Sequence, residues 1–129
     1  MRTRLERCEI KTVTTDHPEI DPLQAFEKLD VRVGTVLAVH PFPQARKRAY
    51  QLEIDFGQEI GLKRSSARIT ENYTPARLVG RQVVAVINLR PKRIAGFVSE
   101  CLVTGFADAS GNVVLCSPER AVPNGGRLY

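Results

Sequence analysis

The chain has 129 residues, 43% hydrophobic and 26% charged, ordinary values for a soluble globular protein, which suit one domain with a single modest core. Its net charge is +5, unevenly spread: residues 1–30 hold five Lys/Arg against seven Asp/Glu, residues 31–129 fourteen against seven. The three cysteines, Cys8, Cys101 and Cys116, are odd in number and irregular in spacing, which argues against a disulfide framework and for a reducing compartment.

Residues 1–20 are polar, mixed in charge and weakly patterned, and read as an extension to a domain over 21–129. They lack the apolar stretch of a secretory signal, and no run in the chain approaches the length of a membrane span, so the expectation is a cytoplasmic protein without membrane insertion. Asp21 is placed to cap a helix, with Pro22 at its first position and Gln24 where a capping box has Glu or Gln. Phe26 and Leu29 then fall on one face of a short helix ending near Asp30.

From Asp30 the apolar period changes to two, through Val31, Val33, Val36, Leu37 and Val39. Gly34 interrupts this run and predicts a bulge or bend, as a strand shared between two parts of a small barrel requires. Pro41 and Pro43 end the strand before a loop carrying Arg46, Lys47 and Arg48. Further strands are predicted at Tyr50 to Phe56 and Leu62 to Ile69, then a single helical turn at Pro75. Gln82 to Asn88, Ser99 to Thr104 and Val113 to Cys116 complete the strands, and a Pro/Gly-rich tail ends on Leu128-Tyr129. Five or six short strands with little helix predict an all-β protein, and the bulged first strand with basic loops points to the OB-fold, a five-stranded partly open barrel.

The richest stretch is Asn88 to Leu102, NLRPKRIAGFVSECL. It reads as a short basic connector held out between two strands, stiffened by Pro91 and carrying Arg90, Lys92 and Arg93. Such cations suit phosphates or another anionic partner. Arg46-Lys47-Arg48 adds to that surface only if it shares the same face. Lys63, Arg64, Ser65 and Ser66 combine cations with hydroxyls and serve phosphates or an extended peptide backbone equally well. Ser99 is either a ligand donor or a cap on the following strand. Among the aromatics, Phe56 reads as core, whereas Phe42 and Phe97 stand beside basic residues and suit stacking on a base or a peptide side chain. Catalysis has little support: His17 and His40 show no partner for nucleophilic chemistry, and no metal spacing or phosphate-cradling glycine loop occurs, so neither enzyme nor cofactor is expected.

At DVRVG, residues 30–34, and across NLRPKRIAGFVSECL, the chain resembles the tRNA-binding-domain family. Through FEKLDVRVGTV, PFPQARKRAYQLEIDFG, GLKRSSARIT, LVGRQVVAVINL, PKRIAGFVSE and VPNGGRLY it is similar to that family's stand-alone CsaA-type secretion-chaperone branch. The resemblance implies an OB-fold and a homodimer whose interface uses the N-terminal helix and C-terminal tail, here Phe26, Leu29, Leu128 and Tyr129. It implies binding of unfolded or export-bound polypeptides, or of tRNA by the same face. In the wider family a Ser-x-x-Met element follows the basic turn; here Ser99 matches the serine and Leu102 replaces the methionine. The ligand-binding set expected is therefore Arg46, Lys47, Arg48, Lys63, Arg64, Ser65, Ser66, Asn88, Arg90, Lys92, Arg93, Phe97, Ser99 and Leu102.

Overall fold

A computed structural model of the protein describes residues 21–129; the expected extension over 1–20, with Cys8 and His17, lies outside them. Helix α1 spans Pro22–Lys28, capped by Asp21, whose carboxylate accepts the Leu23 N–H at 3.1 Å. The cap is Asp21 alone. α1 buries none of its residues in the single chain.

Strand β1 (Val31–Pro41) is the spine of the molecule. Residues 31–35 pair with β4 (Gln82–Val86) and residues 35–41 with β2 (Tyr50–Asp55), both antiparallel, so one strand serves two neighbours. The register shifts between Val36 and Ala38, placing the bulge at Leu37 and not at Gly34 as the sequence suggested. Gly34 answers a different constraint: a Cβ there would lie 2.7 Å from Ile54 Cγ2 and from the Phe56 ring.

β2 turns into β3 (Leu62–Ala67), and a single-turn helix α2 (Pro75–Leu78) leads to β4. Beyond β4 come a hairpin of β5 (Lys92–Ile94) and β6 (Phe97–Ser99), then β7 (Leu102–Val103), and a second hairpin of β8 (Gly105–Ala107) and β9 (Val113–Leu115). The main sheet runs β3-β2-β1-β4-β7. It curls until β3 meets the segment before β7: the Glu100 N–H donates to the Arg64 carbonyl at 2.8 Å, and the Ser65 hydroxyl to the Cys101 carbonyl at 2.9 Å. The result is a nearly closed, OB-like barrel.

The single strand expected over Ser99 to Thr104 is three pieces. Ser99 pairs with Lys92 within its own hairpin, Glu100 and Cys101 cross to β3, and pairing with β4 starts only at Leu102. The basic connector is correspondingly no plain turn. Lys92 and Arg93 stand on a β-hairpin, turned by Ala95 and Gly96, both at positive φ (47° and 83°).

Val36, Leu52, Ile54, Phe56, Leu78 and Val83 are sealed inside the barrel, with Ile69, Tyr73, Ala85, Cys101 and Leu115 packed around them. Each large apolar side chain so buried contributes about 1.5–3 kcal/mol. Burial pushes the Cys101 thiol up to about 11, although the Ser65 hydrogen bond and the Lys63 charge oppose the rise. Cys101 is thus a small core hydrophobe.

The tail is bound to β1 rather than loose. Gly125 N–H donates to the Val33 carbonyl, Val33 N–H to the Gly126 carbonyl, and Leu128 N–H to the Val31 carbonyl. The Arg127 guanidinium donates to the Glu27 carbonyl at 2.9 Å, which draws the tail against α1.

Candidate binding groove

Where β3 passes its last paired residue, the barrel seam opens into a groove of about 1180 Å³. Three parts of the chain wall it: the loop after β1 with Arg46 and Lys47, the end of β3 with Ser66 and Arg68, and the β5–β6 hairpin with Arg90, Lys92 and Arg93. The floor is apolar, formed by Ala67, Ile69, Ile94, Leu102, Val103 and Val113. Leu102 stays 53% exposed there, an uncovered side chain in the middle of a concave surface. Six cations therefore rim an apolar trough, and Glu100 is the one carboxylate among the lining residues.

The hairpin is held upright by aromatic contacts. The Phe97 ring packs on Phe42 with centroids 5.4 Å apart, and the Arg64 guanidinium sits 5.0 Å from the Phe97 centroid on β3's side. The Phe–Phe pair contributes about 0.5–1.5 kcal/mol, and the Arg–Phe contact at this exposed position about 0.5–1 kcal/mol. Ser99 ties the base of the hairpin to β3: its Oγ accepts the Ser66 N–H at 3.0 Å, which leaves its O–H free to donate.

Eight of the fourteen residues expected from sequence meet in this groove: Arg46, Lys47, Ser66, Arg90, Lys92, Arg93, Ser99 and Leu102. The shared face required of the Arg46 loop is therefore present. The other six fall elsewhere. Ser65 is 1% exposed and spends its hydroxyl on the Cys101 carbonyl, so it closes the barrel and meets no ligand. Asn88 accepts the Asp30 N–H at 2.9 Å and donates to the Lys28 carbonyl at 2.7 Å, fastening the end of α1 to the end of β4. Arg64 supports Phe97 and faces Glu100 across 3.9 Å, while Phe97 itself anchors the hairpin. Lys63 and Arg48 do not line the groove. Phe42, also favoured for stacking, is only 4% exposed and serves as the hairpin's support.

Arg68, Ile94 and Glu100 were not anticipated. Arg68 had a signal: inward Ala67 and Ile69 set a period of two on which residues 64, 66 and 68 point outward. His40 lies outside the groove, its Nε2 3.2 Å from Glu53 Oε2 on an exposed face. Among the described residues no cluster of His, Cys, Asp or Glu is arranged to hold a metal ion, and no helix is long and apolar enough to cross a membrane.

Phe26 lies on α1 and Leu29 ends it, while Leu128 and Tyr129 end the tail, which is bonded to the start of β1 through Leu128 and to α1 through Arg127. Leu29 and Leu128 are about half exposed, and Tyr129 wholly so.

A nearly closed OB-like barrel with a cation-rimmed apolar groove at its seam defines a binding module. The chain matches the family described as "Putative tRNA binding domain" over residues 31–127, and it belongs to that family. Among solved structures it is similar to a chaperone CsaA from Bacillus anthracis, at 48% identity and a TM-score of 0.79, covering 86% of this chain and all of that one. A CsaA chaperone protein from Picrophilus torridus matches at 42% identity and the same TM-score, over 85% of this chain and all of that one. The methionine–tRNA ligase of Methanosarcina mazei is 32% identical over 98% of this chain, but the chain spans only 17% of that enzyme's length.

Proposed function

We propose that this protein is a chaperone of the CsaA type, holding unfolded or export-bound polypeptides in its groove as a cytoplasmic homodimer. The observation that carries the reading is Leu102, exposed on an apolar floor inside a rim of cations. Apolar segments of an unfolded chain gain by covering such a floor, and the likeness to two chaperones over the full length of each supports the same use. The rim repels basic segments, so acidic ones of matched hydrophobicity are preferred. Equal affinity for acidic and basic peptides of that kind would contradict the preference.

Binding of tRNA is the second reading, favoured by the family match and by the density of guanidinium and ammonium groups on one surface. The two respond oppositely to salt. RNA affinity falls log-linearly with salt as counterions are released, whereas binding by apolar burial barely changes or strengthens. Bulk tRNA and an unfolded preprotein are therefore titrated against the protein at low and at physiological salt. Preprotein binding that persists while tRNA binding vanishes supports the chaperone reading; the reverse overturns it.

The homodimer rests on the uncovered apolar surface of α1 and the tail, Leu23, Leu29, Leu128 and Tyr129. Sedimentation equilibrium is expected to give twice the chain mass, falling to one chain mass in a Leu29→Asp/Leu128→Asp variant. A wild-type protein that sediments as one chain at micromolar concentration would remove the dimer.

A further inference from the structure

The outer edge of β3 is consumed at one end and unused at the other. Arg64 turns its backbone away from β2: its carbonyl accepts the Glu100 N–H at 2.8 Å, and its N–H reaches Glu100 Oε1 at 3.0 Å. Ser66, two residues on, turns the same way and gives its N–H to Ser99 Oγ. By the alternation of an antiparallel ladder, Ser65 and Ala67 then face β2, and Ala67 pairs with Tyr50 there. The Ser66 carbonyl and the Arg68 N–H, on either side of Ala67, consequently point away from β2. Neither has a backbone or side-chain partner among the described residues. Both belong to residues that line the groove.

An acceptor and a donor spaced across one residue form the docking pattern a sheet edge presents to an added strand. We infer that the groove captures its polypeptide as a short added β-strand on the Ser66–Arg68 edge, selecting an apolar residue flanked by acidic ones. Paired residues of neighbouring strands project to the same face. The ligand residue opposite Ala67 therefore projects inward onto Ile69, Leu102 and Val103. Its two neighbours project outward with Ser66 and Arg68, where Arg68, Arg46 and Arg93 supply positive charge and only Glu100 opposes it. Main-chain bonds hold any sequence in extended form, while the floor and rim choose which residues alternate. A client must be unfolded to offer such a strand, because a native segment already has its backbone paired. The inference rests on the polypeptide reading above and goes further by naming how the chain is held.

The test uses the full chain at physiological salt and a fluorescein-labelled nine-residue peptide alternating Leu and Glu, read by anisotropy. The peptide is N-methylated at one backbone position at a time, which deletes single N–H donors and leaves the side chains intact. Strand addition is expected to give about tenfold loss at the one position whose N–H meets the Ser66 carbonyl and little change at the others, because the Arg68 N–H is met by a peptide carbonyl that methylation leaves intact. In the protein, Arg68→Pro removes the free N–H without touching the β2 ladder. It is expected to weaken binding several-fold beyond Arg68→Gln, which removes only the charge. If the parent peptide binds and every N-methylated form binds alike, strand addition is overturned and the polypeptide reading stands. If the parent peptide does not bind at all, both are overturned.

Discussion

Ser65 and Ser66 adjoin in sequence and part ways in space. One is sealed in the barrel, its hydroxyl on the Cys101 carbonyl; the other lies on the rim of the groove. A run of Lys63, Arg64, Ser65 and Ser66 looks like one polar patch until the strand's period of two is applied, after which only alternate members face out. Ser65→Ala leaves the Cys101 carbonyl without its partner and is expected to destabilise the fold by about 1–3 kcal/mol. Chemical denaturation measures that loss, while ligand affinity of the folded fraction stays unchanged. A variant of normal stability that binds poorly would return Ser65 to the site. Asn88 carries a similar lesson, because a polar residue beside a basic turn proved to be a clasp between α1 and β4. Nothing in its local sequence shows that, since its partners lie about sixty positions upstream. Gly34 was legible as special but not in kind: chain order suggests a bend, whereas the Phe56 ring that needs the space arrives from β2.

At the scale of elements, β1, β2, β3 and β4 were legible because each has the alternation of a half-buried strand and ends at Pro, Gly or a polar run. The β5–β6 hairpin was not. Its two-residue turn is Ala95-Gly96, with Ile94 paired to Phe97, and Ala-Gly lacks the Asn-Gly signature of such turns. Alanine at a φ of 47° costs energy that asparagine largely avoids. Ala95→Asn is expected to stabilise the protein by about 0.5–1 kcal/mol, a rise of a few degrees in Tm. A fall in Tm would mean that the hairpin does not turn there. The hairpin matters because it converts Lys92 and Arg93 from a loose charge run into side chains at fixed height above an apolar floor. Phe42 and Phe97, taken from sequence as stacking platforms for a ligand, are spent on fixing that height.

For the whole molecule, the two ends of β1 lead to different surfaces. Near its start, α1 and the tail leave Leu29, Leu128 and Tyr129 exposed; after its end, the Arg46 loop meets the hairpin and the β3 edge to form the groove. The OB-like class was legible in the pattern of short strands around a shared first strand. The assembly of the groove was not, because it depends on three segments separated in sequence and on where the barrel stops closing. Closure up to Ser66 and openness beyond it decide which cations surround Leu102. The basic surplus of residues 31–129 is thus partly a solvated face and partly a rim, and only the rim is expected to contribute to selectivity.

The most direct measurement is the affinity of an unfolded acidic polypeptide for wild-type protein and for Leu102→Asp, at physiological salt. Leu102 is exposed and surrounded by groove residues, so the exchange leaves the barrel core intact, and a matched thermal melt verifies this. A carboxylate on the apolar floor removes buried contact and repels the acidic client, with an expected loss of about tenfold or more. Unchanged affinity in the folded variant would mean that polypeptides bind elsewhere, and that the groove is not the working surface of this protein.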